Sequence, residues 1–323
     1  MDHRNARTPD QHWVLRRGRH NRAVDRPLTA PRGSGADDVL LLGGTGLVGS
    51  HLRAALAERE ATITSRRGDL PGTRALDVTD GAALAALVRE RRPRVVVLAA
   101  AAAHVEGCEL DPDATRRANV GATEAAAAAA REVGAALVVF SSEYVFAGGK
   151  GRYAEDDDVA PLSEYGRQKV AVEAAARTVP RHLVVRTSGV YGWEPKRVNF
   201  VCRLADALRR GEPYVVPDDQ VITPTYAPDL AAAVLALADA GAWGTFHVAG
   251  PRTLGRMDFA RLAARTFALD EGLLVGRSSA AIGYRAARPL ACGLDDTKLR
   301  AALGHGLSGP DEGLAAMRAS EPG

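Results

Sequence analysis

From Val39 onward, short apolar runs alternate with longer stretches whose apolar residues recur at three- and four-residue intervals. Val39–Leu42 is uniformly apolar and runs into glycines, and residues 47–60 have helical spacing, so a strand, a tight turn and a helix are predicted. Ala61–Ser65 and residues 74–78 predict a second and a third strand. Asp80 is suited to cap a helix running to about Glu90. Residues 94–100, centred on Val95-Val96-Val97-Leu98, predict a fourth strand, and residues 113–133, with their alanine run, a helix. A fifth strand over 135–141, a helix over 163–178 and a sixth strand over 182–186 follow. Apolar strands separated by helices indicate βαβ units, so the expected class is α/β, a Rossmann-type doubly wound parallel sheet.

After Tyr191 the rhythm loosens into short strands, proline-containing loops and helices over 198–210, 228–240 and 256–267. The expected organisation is a dinucleotide-binding domain over 38–190 and a smaller substrate lobe over 191–323, partly interleaved with the sheet. Residues 1–37 carry eight Arg and no apolar run long enough for a secretory signal, and are expected to be a disordered extension.

Composition narrows the function classes. With 46% hydrophobic and 25% charged residues, the chain can bury a sizeable core, and no apolar run is long enough to span a membrane. The net charge of +3 comes from 42 basic and 39 acidic residues mixed along the chain, which gives no electrostatic footprint for nucleic acid. Only Lys150, Lys169, Lys196 and Lys298 are lysines, so a Lys inside a motif carries more weight than an Arg. Cys108, Cys202 and Cys292 are far apart, with no metal-ligand spacing and no disulfide framework, which fits a reducing cytoplasm.

Gly43-Gly44-Thr45-Gly46-Leu47-Val48-Gly49 contains G-x-x-G-x-x-G between a predicted strand and a helix. Such a turn lets backbone amides approach a pyrophosphate at a helix N-terminus. Gly43, Thr45, Gly46, Leu47, Val48 and Gly49 are therefore expected to bind a dinucleotide, together with Ala99, Ala100 and Ala101 at the end of the fourth strand, and Asn119. The second strand ends in Thr64-Ser65-Arg66-Arg67 without an acid, which favours the 2′-phosphate of NADPH at Arg66, with NADH as the alternative. Asp77 and Val78 are placed to meet the adenine.

Tyr165-Gly166-Arg167-Gln168-Lys169 puts a phenol and an ammonium on one helical face, where the cation is expected to favour the tyrosinate. Tyr165 then becomes a usable proton donor, and Tyr165 and Lys169 also belong to the cofactor site. Ser142, at the carboxyl end of the fifth strand, can orient a substrate carbonyl. His104 is either a substrate contact or an ordinary loop histidine.

These features together resemble the extended short-chain dehydrogenase/reductases, most closely the dTDP-4-dehydrorhamnose reductase group, over about residues 39–304. Ser141-Ser142-Glu143-Tyr144-Val145-Phe146-Ala147-Gly148 is similar to the family's S-T-D-Y-V-F-x-G, and Pro161-Leu162-Ser163-Glu164-Tyr165-Gly166 through Lys169 to its P-L-N-x-Y-G-x-x-K. Arg186-Thr187-Ser188-Gly189-Val190-Tyr191 is similar to R-T-S-W-V-Y, Asp219-Gln220 with Pro224-Thr225 to D-Q-x-x-x-P-T, and Arg288-Pro289 with Leu294-Asp295 and Lys298-Leu299 to the closing R-P and L-D-x-x-K-L.

The resemblance implies Ser142, Tyr165 and Lys169 as the catalytic set of an NADPH-dependent reductase acting on the 4-keto group of a nucleotide-linked deoxysugar. The expected substrate side is formed by His104, Ser142, Glu143, Tyr144, Gly189, Asn199, Gln220 and Thr225, and the sequence shows no metal-ligand motif. A homodimer is an open arrangement. Gly189 for Trp, Glu143 for Asp and Leu98 for Asn depart from the family pattern and leave the particular ketone open. The second acid of the related 4,6-dehydratases is absent after Glu143, which argues against dehydration. An NAD-retaining epimerase and a non-catalytic subunit like that of methionine adenosyltransferase are the alternatives.

Overall fold

The computed structural model describes residues 38–322; the expectation for residues 1–37 lies outside them. Seven strands form one sheet: β1 (Val39–Leu42), β2 (Ala61–Ser65), β3 (Thr73–Ala75), β4 (Val95–Leu98), β5 (Ala136–Ser142), β6 (His182–Thr187) and β7 (Gly244–His247). Their spatial order is 3-2-1-4-5-6-7, and every neighbouring pair is parallel. This is the doubly wound arrangement that the sequence pattern predicts.

The unbroken apolar strands reflect burial on both faces. Leu40, Leu42, Val96, Leu98, Leu137 and Val139 point into one core. Val39, Leu41, Val95, Val97, Ala136 and Val138 point into the other. The first core is covered by helices α1 (Gly81–Arg91), α2 (Ala122–Val133) and α3 (Glu164–Ala176), through Leu84, Val88, Ala126, Ala130, Val172 and Ala176. The second is covered by Leu47–Ala55 and Ala227–Asp239, through Leu52, Leu230 and Val234. A third cluster, with Tyr191, Val201, Leu204, Phe259, Leu314 and Met317, joins helices Phe200–Arg209, Arg256–Thr266 and Pro310–Ala319.

Three elements differ from expectation. The first helix stops at Ala55 rather than reaching Glu60. The helix expected over 113–133 is interrupted by a π-turn at Arg117–Gly121, where Asn119 turns its carboxamide to other backbone. Strand β7 has no apolar run to announce it; Phe246 packs inward and its backbone pairs with Val185 on the sheet edge.

Candidate active site

The carboxyl ends of β1, β2 and β4 border a cleft of about 610 Å³, within the size range of small-molecule sites. Gly43 has φ of +99°, and a Cβ there would lie 2.6 Å from the Ala100 backbone nitrogen. A Cβ on Gly49 would come within 1.9 Å of the Gly43 carbonyl oxygen. Glycine at these positions is what lets strand β1, helix Leu47–Ala55 and the end of β4 meet so closely.

Gly46 caps that helix without a side chain, and no acid lies in its first turn. By contrast, Asp80, Ser163 and Asn199 cap their helices with side-chain oxygens. The Gly46 end borders the cleft and has open space where a side chain would stand. Its unpaired amides suit a pyrophosphate.

Gly43, Thr45, Gly46, Arg66, Val78 and Ala99 to Ala101 all line the cleft. Leu47 and Val48 form the first helical turn and do not line it; Val48 packs toward the core. Arg66 is exposed and only loosely paired, with its Nε 3.6 Å from Asp77. Asp77 is not on the cleft wall. Its carboxylate accepts from the Thr79 amide at 3.0 Å and hydroxyl at 2.7 Å, which holds its pKa below the usual range, so it serves as a loop cap. Ser65, Arg67, Asp69, Ala102 and the distant Pro195 and Lys196 are also on the wall, beyond the residues expected there.

Helix α3 carries the phenol and the ammonium. Ser163 caps it by accepting from the Gly166 amide at 3.2 Å. A Cβ on Gly166 would lie 2.3 Å from the Tyr144 carbonyl oxygen, so the missing side chain lets the helix close on the segment after β5. Tyr165 and Tyr144 consequently meet edge to face, with ring centroids 5.4 Å apart. Ser142, the last residue of β5, donates to Glu143 Oε2 at 2.7 Å.

The expected depression of the Tyr165 pKa is absent. Burial, reinforced by the Glu143 carboxyl, pushes it well above its ordinary value, and hydrogen bonding with Ser142 opposes the shift. Lys169 Nζ lies 5.5 Å from the Tyr165 ring centroid but donates to the Phe140 carbonyl at 2.8 Å. Burial lowers its pKa to about 8. The phenol is thus held protonated, as a proton donor requires.

Asn119 joins the cleft to this helix. Its carboxamide accepts from the Ala102 amide at 2.8 Å and donates to the Ala102 carbonyl at 3.1 Å and to Gln168 Oε1 at 2.8 Å. Ala102 is on the cleft wall and Gln168 precedes Lys169. Asn119 is a positioning residue between the two.

Several expected substrate contacts are engaged elsewhere. His104 caps the helix Val105–Leu110, accepting from the Gly107 amide at 2.9 Å. Asn199 caps Phe200–Arg209 and donates to the Gly192 carbonyl at 2.8 Å. Gln220 is buried and donates to Ser279 at 2.9 Å, and Thr225 donates to the Ser188 carbonyl at 2.8 Å. Gly189 packs near Ile222 in a left-handed conformation, φ +52°. Glu143 is buried, and burial raises its pKa.

Tyr144 has a partner from far along the chain. Arg288 donates to its hydroxyl at 2.9 Å and to Glu106 at 2.9 Å, and stacks on Tyr284 at 3.8 Å. The Nε atoms of Arg288 and Arg256 are buried without partners among the described residues.

Comparison with known families gives the model described as RmlD substrate binding domain a match over residues 37–320. The chain belongs to this family. Relatives include the probable low-salt glycan biosynthesis reductase of Haloferax volcanii, 32% identical over 86% of this chain and 96% of that protein. The dTDP-4-dehydrorhamnose reductase of Streptomyces griseus is 34% identical over 81% of this chain and 87% of its own. The crystal structure of the Bacillus anthracis dTDP-4-dehydrorhamnose reductase in complex with NADP superposes with a TM-score of 0.82 at 26% identity, covering 88% of this chain and all of that one. Among the described residues, no helix of this family member is long and apolar enough to cross a membrane.

Proposed function

We propose that this protein is an NADPH-dependent oxidoreductase that reduces the 4-keto group of a nucleotide-activated deoxysugar. The observation that carries this reading is the meeting of Ser142, Tyr165 and Lys169 where β5 ends, braced through Asn119 to the wall of a dinucleotide-sized cleft. The reductase names of the relatives and the NADP held by the Bacillus anthracis protein support it.

Bound NADPH supplies a hydride to the carbonyl carbon. Tyr165 gives its phenolic proton to the carbonyl oxygen, leaving an alcohol and a transient tyrosinate. The Lys169 ammonium, on the same helical face, stabilises that anion. Ser142 orients the carbonyl by hydrogen bonding, once it releases Glu143. Arg66 and Arg67 provide positive charge for the adenosine 2′-phosphate, and the buried face with Arg288 and Arg256 suits an anionic, diphosphate-linked substrate.

The test is to mix purified protein, NADPH and a dTDP-4-keto-6-deoxysugar, and to follow absorbance loss together with the sugar product. One alcohol formed per NADPH oxidised is the expected result. Binding of NADPH without oxidation in the presence of a panel of 4-keto sugar nucleotides would refute the assignment.

A further inference from the structure

The cleft lined by the glycine loop is also lined by Pro195 and Lys196, which follow the sixth strand in the chain. Their segment is pinned from several sides. His51, in helix Leu47–Ala55, places Nε2 3.0 Å from the Trp193 carbonyl oxygen, and the Trp193 indole donates to the Met317 carbonyl at 2.6 Å. Glu194 accepts from the amides of Val198 at 3.1 Å and Asn199 at 2.7 Å. Arg197 stacks on the Trp193 ring at 4.8 Å and pairs with Asp206.

Every charged neighbour in the segment is therefore committed to an internal partner. Lys196 is exposed, and its Nζ has no hydrogen-bond or ion-pair partner among the described residues. The His51 contact fixes the segment against the very helix whose bare N-terminus borders the cleft. A pyrophosphate at that N-terminus would carry two negative charges, and among the described residues lining the cleft Lys196 is the basic one besides Arg66 and Arg67, which are offered to the adenosine end.

We propose that Lys196 binds the pyrophosphate of the dinucleotide, together with the glycine loop that lines the same cleft. The inference rests on the dinucleotide-binding part of the proposed function. Because the pyrophosphate is common to both cofactors, Lys196 contributes to affinity and not to the choice between NADPH and NADH.

Calorimetric titration of wild type, Lys196→Ala and Lys196→Arg with NADPH and with NADH, at low and high salt, tests this. Lys196→Ala should weaken both cofactors by the same factor, about tenfold, near the lower end of what a charge-assisted hydrogen bond contributes. It should also flatten the salt dependence, while Lys196→Arg stays close to wild type. An unchanged affinity for Lys196→Ala overturns the proposal, and so does a loss confined to NADPH, which would assign Lys196 to the 2′-phosphate. Wild-type protein that takes up neither dinucleotide would overturn the cofactor reading itself, a result distinct from these. Melting of the ligand-free Lys196→Ala protein at the wild-type temperature establishes that the fold is intact.

Discussion

Lys169 Nζ donates a 2.8 Å hydrogen bond to the carbonyl oxygen of Phe140, two residues before Ser142 on β5. The ammonium is fully enclosed, with this carbonyl as its hydrogen-bond partner, and burial brings its pKa down from 10.5 to about 8. Between those two values the folded protein holds fewer protons than the unfolded chain, so the contribution of Lys169 to stability improves as pH rises through this window. At pH 7 both states are protonated and the full cost of burying the charge is present.

Lys169→Met should therefore melt higher than wild type at pH 7 while losing turnover, and the gap should shrink from pH 8 toward 10. Thermal unfolding of both ligand-free proteins across that range checks it. A variant less stable than wild type at pH 7 would show that the Phe140 hydrogen bond outweighs desolvation.

Tyr165→Phe removes the proton donor with little change in volume. Turnover should fall by roughly 10²–10⁴, the range for loss of a general acid, while NADPH affinity stays within a factor of about three. Steady-state kinetics alongside a binding titration separate the two effects, and turnover near that of wild type would eliminate Tyr165 as the donor.

Arg66 is exposed on the cleft wall with a single loose contact to Asp77. Arg66→Ala should weaken NADPH by about tenfold, as expected for one lost charge-assisted contact to phosphate, and leave NADH nearly unchanged. Equal losses for the two cofactors would mean that Arg66 does not read the 2′-phosphate.

Asn119→Ala deletes three hydrogen bonds of a buried side chain and leaves Gln168 Oε1 and the Ala102 amide without this partner, while the Ala102 carbonyl keeps the Cys108 thiol. A cost of about 2–4 kcal/mol is expected, since each buried polar group left unpaired costs on the order of 1–3 kcal/mol. Urea unfolding measures this. A fall in kcat larger than the change in KM would accompany it, because the bond braces the helix that carries Tyr165 and Lys169. Unchanged stability and kinetics would remove Asn119 from the positioning role.

Much of this was legible in the linear chain because it depends on local pattern. A strand buried on both faces must be apolar, and β1 and β4 are throughout, as is β5 as far as Phe140. Glycines between a strand and a helix, and a phenol and an ammonium four residues apart, are likewise local signals, and they pointed to the cleft and to helix α3. Strand β7 was illegible because Gly244–His247 has too few apolar residues; its place comes from pairing with β6, a contact distant in sequence.

The polar positions drawn from motif similarity divided for the same reason. His104, Asn199, Gln220 and Thr225, expected on the substrate side, each have a hydrogen-bond partner within the folded protein. Lys196 reaches the cleft wall and Arg288 reaches Tyr144 across long stretches of chain, and no local pattern marks either contact. The pKa of Tyr165 shows the division most plainly. The four-residue spacing alone puts Tyr165 and Lys169 on one helical face, because 3.6 residues per turn requires it. Only the tertiary structure decided that burial, rather than the nearby ammonium, controls the phenol, because desolvation depends on everything packed around the pair.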